Sequence, residues 1–279
     1  MFRKLLRPIK RPLKYLLKPE RIKNPFKALG LSNYEYANID KRAIVAPSSA
    51  SVFGKHISYP GGYWLLYSLN EIFLEEVYKF ESSNPSPLII DCGANIGLSV
   101  IYFKKLFPGA RIIAYEPDRN IFGSLSKNIS QFDYSDIELI NKAVWNCETE
   151  LDFVSEGTLG GSIEKDLPAD RAIIRIKTDR LKDRLKQKVD FLKVDIEGAE
   201  YEVLLDCKEE LKNVALMFFE YHGDRKKKER NLEDILKVVS EAGFRYYIKE
   251  SLPLVRLPFV EKAPEETFDL LLNVFCYRN

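Results

Sequence analysis

Short apolar runs alternate along the chain with longer stretches in which apolar residues recur every three or four positions. The runs predict buried strands, and the stretches predict amphipathic helices. The predicted strands are 88–91, 111–116, 137–145, 189–195 and 214–222, and the helical patterns lie at 96–107, 119–132, 199–211 and 232–239. Continuously apolar strands that alternate with helices are typical of a parallel sheet with helices on both faces.

The chain ends with two predicted strands, 244–250 and 268–278, that have no helical pattern between them. Such a pair indicates one antiparallel strand near the C-terminus. Two additional strands are predicted at 151–156 and 172–178, around the glycine-rich segment 157–162. That segment is either a mobile lid over an active site or a plain hairpin connection. The fold class is therefore α/β with a mostly parallel sheet.

The region before the first core strand has a different pattern. Apolar residues at three-to-four-residue spacing predict an amphipathic helix over 65–80, and a Ser/Asn/Pro cluster at 82–87 then breaks it. We predict three parts: a basic N-terminal arm (1–30), a helical and irregular region that packs on the main domain (31–84), and the main domain itself (85–279).

Charge is distributed unevenly between these parts. Residues 1–27 hold ten basic residues and one acid, a net charge of +9, whereas the whole chain carries +2. The arm either contacts anionic lipid, at about 1 kcal/mol per basic residue near a membrane surface, or is a solvated, loosely docked extension. A basic arm attached to an acidic folded region differs from the usual nucleic-acid-binding protein, in which the positive charge lies on the folded surface.

The number and spacing of the cysteines and histidines, and the absence of long apolar runs, exclude several classes of protein. The four cysteines lie far apart and match no zinc, CxxC or haem spacing, and the chain has only two histidines. The arm lacks the apolar core of a signal peptide, and no run of eighteen apolar residues occurs. We therefore expect a cytoplasmic protein with reduced thiols, which the arm would hold peripherally on the inner face of a membrane if it binds lipid.

The loop after the first core strand carries the clearest chemistry. Asp91 ends that strand and leads through a loop containing Gly93 and Gly97 into a helix, at the sheet edge where ligands bind in open α/β sheets. The loop lacks the third glycine of a dinucleotide site and the Gly-Lys-Ser/Thr of a P-loop. A carboxylate would repel a pyrophosphate but attract an ammonium group. S-adenosylmethionine, which has an ammonium, a sulfonium and no phosphate, fits these residues best.

Two further polar residues follow successive strands. Glu116 ends the second strand and can accept hydrogen bonds from both ribose hydroxyls. Asn141, near the end of the third, can bond an adenine edge. Each has an ordinary structural alternative, because Asp91 can cap a helix, Glu116 can be a surface acid and Asn141 a turn residue.

The segments LIIDCGANIGLSVIYFKKLFPGARIIAYEP, NKAVW and FLKVDIEGAEYEVL occur in this order and resemble the FkbM family of S-adenosylmethionine-dependent methyltransferases. The resemblance covers residues 70–278. It implies a Rossmann-like seven-stranded sheet and methylation of a hydroxyl on a glycan, a glycolipid or a secondary metabolite, so the expected partner is a small-molecule or glycan acceptor and not nucleic acid. The residues that it assigns to cofactor binding are Asp91, Gly93, Ala94, Asn95, Gly97, Glu116, Pro117, Asn141 and Ala143.

Methyl transfer to an alcohol needs a group that removes the proton, and such a base contributes about 10²–10⁴-fold. Asp195, at the end of the fourth strand, is the first candidate. Glu197, Glu220 and His222 are the others, with Glu220 and His222 on one side of the fifth strand. We assign no metal ligands, because no spacing motif supports a site, although a cation held by Asp195, Glu220 and His222 stays open.

Two other functions stay open. One is a nucleic-acid methyltransferase that grips phosphate through the arm, although the chain lacks the Asn/Asp-Pro-Pro-Tyr/Phe motif of base amino-methylation. The other is a non-catalytic module on the same fold that docks at membranes through the arm.

Overall fold

The computed structural model describes residues 23–155, 161–162, 172–224, 231–257, 259–261 and 268–278. Residues 1–22 of the predicted arm and residues 157–160 of the predicted lid lie outside these ranges.

The strands in chain order are β1 (Ser48–Val52), β2 (Lys55–Tyr59), β3 (Leu88–Cys92), β4 (Arg111–Tyr115), β5 (Ile137–Ile140), β6 (Ala143–Trp145), β7 (Glu150–Ser155), β8 (Gly161–Ser162), β9 (Ala172–Arg180), β10 (Val189–Val194), β11 (Val214–Gly223), β12 (Arg245–Glu250) and β13 (Leu270–Tyr277). The helices are α1 (Asn33–Asn38), α2 (Gly62–Leu69), α3 (Leu98–Leu106), α4 (Arg119–Ile129), α5 (Leu181–Arg184), α6 (Glu200–Asp206) and α7 (Leu232–Glu241). A π-helical turn, Asn70–Leu74, continues α2.

Within the described residues, seven strands form the central sheet in the order β12-β13-β11-β10-β3-β4-β5. Neighbouring strands are parallel from β11 to β5, and β13 is antiparallel to both β11 and β12. The predicted mostly parallel, Rossmann-like sheet with one antiparallel strand near the C-terminus is confirmed. The carboxyl ends of β3, β4, β10 and β11 consequently meet at one edge.

Side chains that alternate along the strands fill two separate cores. Ile89 and Phe191 face a core that includes Val100 of α3, whereas Ile90 and Leu192 face the core on the opposite side of the sheet. Because every second residue of a strand points to the same face, a strand buried on both faces must be apolar throughout. The predicted helical layers on both faces are confirmed.

The expected strand 137–145 divides at residue 141. Residues 137–140 form β5 of the central sheet, but 143–145 form β6, which pairs with β9 in a second sheet of order β6-β9-β7-β8. The reason is at Asn141, whose side-chain amide donates to the backbone carbonyls of Glu116 and Pro117 and so turns the chain away from the sheet edge. A single apolar run thus supplies two sheets.

The helix expected over 65–80 begins earlier and ends earlier, since the helical turns run from Gly62 to Leu74. Glu76 has a φ of 51°, a left-handed conformation that ends the helix. Residues before 84 share the core that α3 and α4 cover, among them Phe26, Ile57 and Leu65. In the described ranges, no helix is both long and apolar enough to cross a membrane.

Candidate active site

The loop from Asp91 to Gly97 is held between two strands. Gly93 and Gly97 have φ values of 88° and 91°, and Asn95 has 49°, so the loop turns through three left-handed residues. The backbone N–H groups of Gly93 and Ala94 donate to the Tyr115 carbonyl at the end of β4. On the other side, a Cβ at Gly93 would lie 1.9 Å from the backbone oxygen of Asp195. Glycine is therefore required here by close packing as well as by φ.

Asp91 is fully buried below this loop. Its Oδ2 accepts a hydrogen bond from Ser99 Oγ at 2.5 Å, and its Oδ1 is 3.3 Å from Lys193 Nζ. Lys193 also lies 3.2 Å from Asp195 Oδ2 and donates to the Gly93 carbonyl at 2.9 Å. Burial alone would lower the pKa of Lys193, but attraction to Asp195 and Asp91 outweighs it and raises that pKa. A buried ammonium group thus ties the ends of β3 and β10 together.

Lys193 received no role from the sequence. The one sequence feature that indicates a role for Lys193 is its position two residues before Asp195. Alternate residues of an extended segment point to the same side, so the two side chains lie together. The register pairs Lys193 directly with Asp91 of β3.

Glu116, at the end of β4, is also buried, with 7% of its surface exposed. Its two carboxylate oxygens accept backbone hydrogen bonds from Asn95 at 3.1 Å and Asp118 at 2.9 Å. Burial is the main cause that raises the pKa of Glu116 to about 8. A buried carboxylate that contacts the glycine loop is positioned to accept hydroxyl hydrogen bonds from a ligand on that loop.

Asn141 and Pro117 line a cavity of about 510 Å³ beside Glu116. The Asn141 amide nitrogen is engaged by the backbone, at 2.9 Å from the Glu116 oxygen and 3.0 Å from the Pro117 oxygen. Ala143 instead packs in the small core of the second sheet with Phe153 and Ile176. Of the predicted cofactor-binding residues Pro117, Asn141 and Ala143, the first two therefore border the cavity and the third lies in a packed core. The cavity is lined by Pro117, Asp118, Arg119, Asn120, Asn141, Ile174, Arg175, Ile176 and Lys177.

The four candidate proton acceptors converge at the ends of β10 and β11. His222 Nε2 is 3.3 Å from Glu197 Oε2 and 3.9 Å from Glu220 Oε2. Asp195, Glu220 and His222 each direct one ligand atom to a common region, and these atoms lie within 4.8 Å of one another. Burial would lower the pKa of His222, but Glu197 and Glu200 outweigh it and raise that pKa well above its ordinary value.

Glu200 orients this histidine. Its Oε1 accepts from His222 Nδ1 at 3.1 Å and from the Ile196 N–H at 3.0 Å, while its Oε2 accepts from the Gly198 N–H at 3.0 Å. Glu200 is the first residue of α6, where a carboxylate stabilises the start of the helix. The structure adds that it fixes the imidazole, with Nδ1 as the donor to a carboxylate that can only accept.

Glu71 was not found from the sequence. Glu71 lies on the π-helical turn, close to the carboxylates at the ends of β10 and β11, and Asn273 Nδ2 donates to its Oε1 at 3.3 Å. Burial first, and then Asp195, raise the pKa of Glu71 to about 7. Burial and Asp195 likewise raise the pKa of Glu220 to about 7, and burial is the main cause that raises the pKa of Glu197 to about 8. No local pattern identifies Glu71, because it lies far upstream of the strands that it joins.

The site is strongly acidic. Among the described residues, two basic side chains, Lys193 and His222, contact the carboxylates at these strand ends. The carboxylates are Glu71, Asp91, Asp195, Glu197, Glu200 and Glu220. A buried site with more acids than bases favours a cationic ligand, because attraction is strong where water is excluded.

Comparison with known proteins identifies the family of this chain. The sequence model of the family described as "Methyltransferase FkbM domain" matches residues 91–246, more than half of the chain. The methyltransferase sdnD of Sordaria araneosa is 29% identical over 203 residues, which cover 59% of this chain and 78% of that protein. The 2-O-methyltransferase NoeI of Sinorhizobium fredii is 27% identical over 157 residues, 49% of this chain and 64% of that protein.

Among solved structures, the FkbM methyltransferase of Methylobacillus flagellatus KT is 16% identical, with a TM-score of 0.47. The alignment covers 76% of this chain and 49% of that one. The resemblance found in the sequence segments is thus confirmed by the family match.

Proposed function

Since this chain belongs to the FkbM family of S-adenosylmethionine-dependent methyltransferases, we propose that it transfers the methyl group of S-adenosylmethionine to a hydroxyl group of a glycan, a glycolipid or a secondary metabolite. The observation that carries the proposal is the arrangement at one sheet edge. The glycine loop contacts the carboxylate of Glu116 on one side and the backbone of Asp195 on the other. A cofactor site and a proton-accepting site are therefore adjacent.

The residues of the loop suit this cofactor. Gly93 lets the loop pack closely against the backbone oxygen of Asp195, which fixes the shape of the loop beside Glu116. Glu116 offers buried carboxylate oxygens to ribose hydroxyls, and the buried carboxylate of Asp91 favours a cation. No cationic side chain in the described part of the loop, residues 91–97, would serve a pyrophosphate. When bound, S-adenosylmethionine supplies a methyl group on a positively charged sulfur.

The chain's own contribution is to orient the acceptor and remove its proton. Asp195 keeps 23% of its side chain exposed, whereas Asp91 keeps none, so Asp195 is the carboxylate of this pair that an acceptor reaches. Lys193 fixes one oxygen of Asp195, which holds the carboxylate in place. We assign Asp195 to receive the hydroxyl proton as the new oxygen–carbon bond forms, and Glu197, Glu220 and His222 to surround it. Positioning of this kind supplies most of the rate in such displacements.

The assignment to oxygen draws on one relative, since NoeI of Sinorhizobium fredii is named as a 2-O-methyltransferase. An acidic pocket that ends several strands is also suited to hydroxyl groups, because carboxylates accept their hydrogen bonds directly. The acceptor is thus proposed to be a polyhydroxylated or otherwise hydroxyl-bearing molecule.

Calorimetric titration of the full chain with S-adenosylmethionine, and separately with NAD, tests the cofactor. We expect S-adenosylmethionine alone to bind, in the micromolar range, about −8 kcal/mol. Asp91→Asn should weaken that binding. Asp190→Asn is the matched control, because Asp190 is a buried acid of the same sheet whose partners, Asn84 and the Leu88 N–H, lie at the opposite edge. Binding of NAD in place of S-adenosylmethionine, or unchanged affinity in Asp91→Asn, would contradict the cofactor assignment.

Transfer of a labelled methyl group to a panel of oligosaccharides, glycolipids and phenols tests the reaction. Asp195→Asn should keep cofactor affinity and lose turnover. Thermal unfolding of the variant reports whether the ion pair with Lys193 still supports the fold. If the label is recovered on nitrogen, or if Asp195→Asn turns over at the wild-type rate, the proposed hydroxyl chemistry is wrong.

A further inference from the structure

Three side chains at the carboxyl ends of β10 and β11 form a mixed oxygen–nitrogen ligand set. Asp195, Glu220 and His222 bring a ligand atom each to within 4.8 Å of one another. Glu220 and His222 belong to β11, and Asp195 directly follows the adjacent parallel strand β10, where its backbone N–H donates to the Cys92 carbonyl of β3. The sheet therefore fixes the spacing of the three residues. Carboxylate oxygen and imidazole nitrogen together suit first-row divalent ions.

The histidine is already oriented as a ligand would be. Glu200 accepts a hydrogen bond from Nδ1 at 3.1 Å, and this leaves Nε2 facing Glu197 at 3.3 Å and Glu220 at 3.9 Å. Metal-binding histidines commonly donate their other ring N–H to a carboxylate in this manner. Glu200 is in turn held by the backbone N–H groups of Ile196 and Gly198. The imidazole is thus supported by a second layer of bonds.

An independent feature points to the same place. Asn273 is 3% exposed, and among the described residues its Oδ1 has no hydrogen-bond partner. It is the cross-strand partner of Glu220, so the two side chains lie on one face of the sheet. Its amide nitrogen points to Glu71, an acid that interacts with Asp195. A buried amide oxygen on the face of the sheet that carries Glu220 is a further oxygen ligand for a cation.

We propose that Asp195, Glu220 and His222 bind a divalent cation that accepts both carboxylate and imidazole ligands, such as Mn²⁺, with Asn273 Oδ1 beside it and Glu200 orienting the histidine. The cation's role rests on the proposed methyl transfer. It would hold the acceptor hydroxyl and make its proton easier to remove, as bound cations do for water. The binding itself requires no acceptor and can be tested alone.

Titration of the full chain with MnCl₂, followed by electron paramagnetic resonance, measures this binding directly because the signal of free Mn²⁺ falls as the ion binds. We expect a single ion per chain. Glu220→Gln and His222→Gln should abolish the loss of signal. Glu200→Gln, which keeps all three proposed ligands but changes the carboxylate that supports the histidine, should weaken binding by about 10–100-fold. The matched control is Glu148→Gln, an exposed acid outside the cluster, and it should bind as the wild type does.

A second measurement does not depend on whether the variants fold well. Mn²⁺ should raise the unfolding temperature of the wild-type chain, because a ligand that binds the native state stabilises it by mass action. Unchanged free Mn²⁺ in the presence of wild-type chain would overturn the proposal. So would equal binding by wild type, Glu220→Gln and His222→Gln. Titration with S-adenosylmethionine in the absence of added metal separates this outcome from failure of the proposed function. If the chain binds S-adenosylmethionine but not Mn²⁺, the cation site is wrong while the cofactor assignment is retained.

Discussion

Removal of the Lys193 ammonium group tests the electrostatic design of the site. Lys193 has 2% of its side chain exposed and lies 3.3 Å from Asp91 and 3.2 Å from Asp195. At an effective dielectric constant of about 20, each of these pairs attracts by about 5 kcal/mol. Desolvation of the buried charges offsets much of that attraction. Lys193→Met keeps most of the length of the side chain but leaves two carboxylates without their shared cation. We expect this change to lower the free energy of unfolding by about 3–5 kcal/mol.

Urea denaturation of wild type and Lys193→Met, followed by circular dichroism, measures this cost. The matched control is Lys249→Met, because Lys249 pairs with Glu75 at 3.2 Å but both side chains are about half exposed, 53% and 48%. An exposed pair contributes about 0–1 kcal/mol. The contrast between the two variants isolates burial as the cause.

A double variant makes the prediction sharper. In Asp91→Asn/Lys193→Met, one of the two carboxylates left without a cation is replaced by a neutral amide. The decrease in the free energy of unfolding should therefore be smaller than the sum of the decreases in the two single variants, as expected for residues in contact. A loss below about 1 kcal/mol in Lys193→Met would refute the reasoning, because removing one partner of a buried ion pair leaves an uncompensated charge, which typically costs about 3–5 kcal/mol. Additive losses in the double variant would refute it equally.

Two further predictions concern the cofactor loop. Because the pKa of Glu116 is raised to about 8 and hydroxyl groups bind its ionised form, S-adenosylmethionine affinity should rise as the pH increases from 6 to 9, by up to about tenfold per pH unit below 8. Glu116→Gln should remove that pH dependence in calorimetric titrations, and a slope that survives in the variant would contradict it. Gly93→Ala should lower the free energy of unfolding by about 1–3 kcal/mol because of its φ of 88° alone. A further loss is expected because the new Cβ would collide with the Asp195 backbone oxygen. The control is Gly123→Ala in the same denaturation assay, because Gly123 lies in the middle of α4 with open space where a Cβ would be. This substitution should be neutral or stabilising by about 0.5–1 kcal/mol. Equal effects of the two alanine substitutions would be inconsistent with the close packing at Gly93.

The sequence by itself determined the alternation of strands and helices in the central sheet and the polar residues at the ends of its parallel strands. Periodicity is a local property, so the alternation of apolar strands and amphipathic helices was readable without knowing any neighbour. The polar residues that end the strands, Asp91, Glu116, Asp195 and His222, follow from that alternation, because the carboxyl ends of parallel strands share one edge.

Only the tertiary structure decided which side chains meet there. Lys193 binds the loop at Gly93, a hundred residues earlier. Glu71 reaches the cluster from a π-helical turn, and Asn273 meets it from the antiparallel strand at the other end of the chain. Asn141, at the break between β5 and β6, donates its amide to the carbonyls of Glu116 and Pro117, two residues that follow the adjacent strand β4, and so turns the chain away from the sheet. Hydrogen bonds and ion pairs depend on distances of a few ångströms between segments that are far apart in sequence, and no local pattern records those distances.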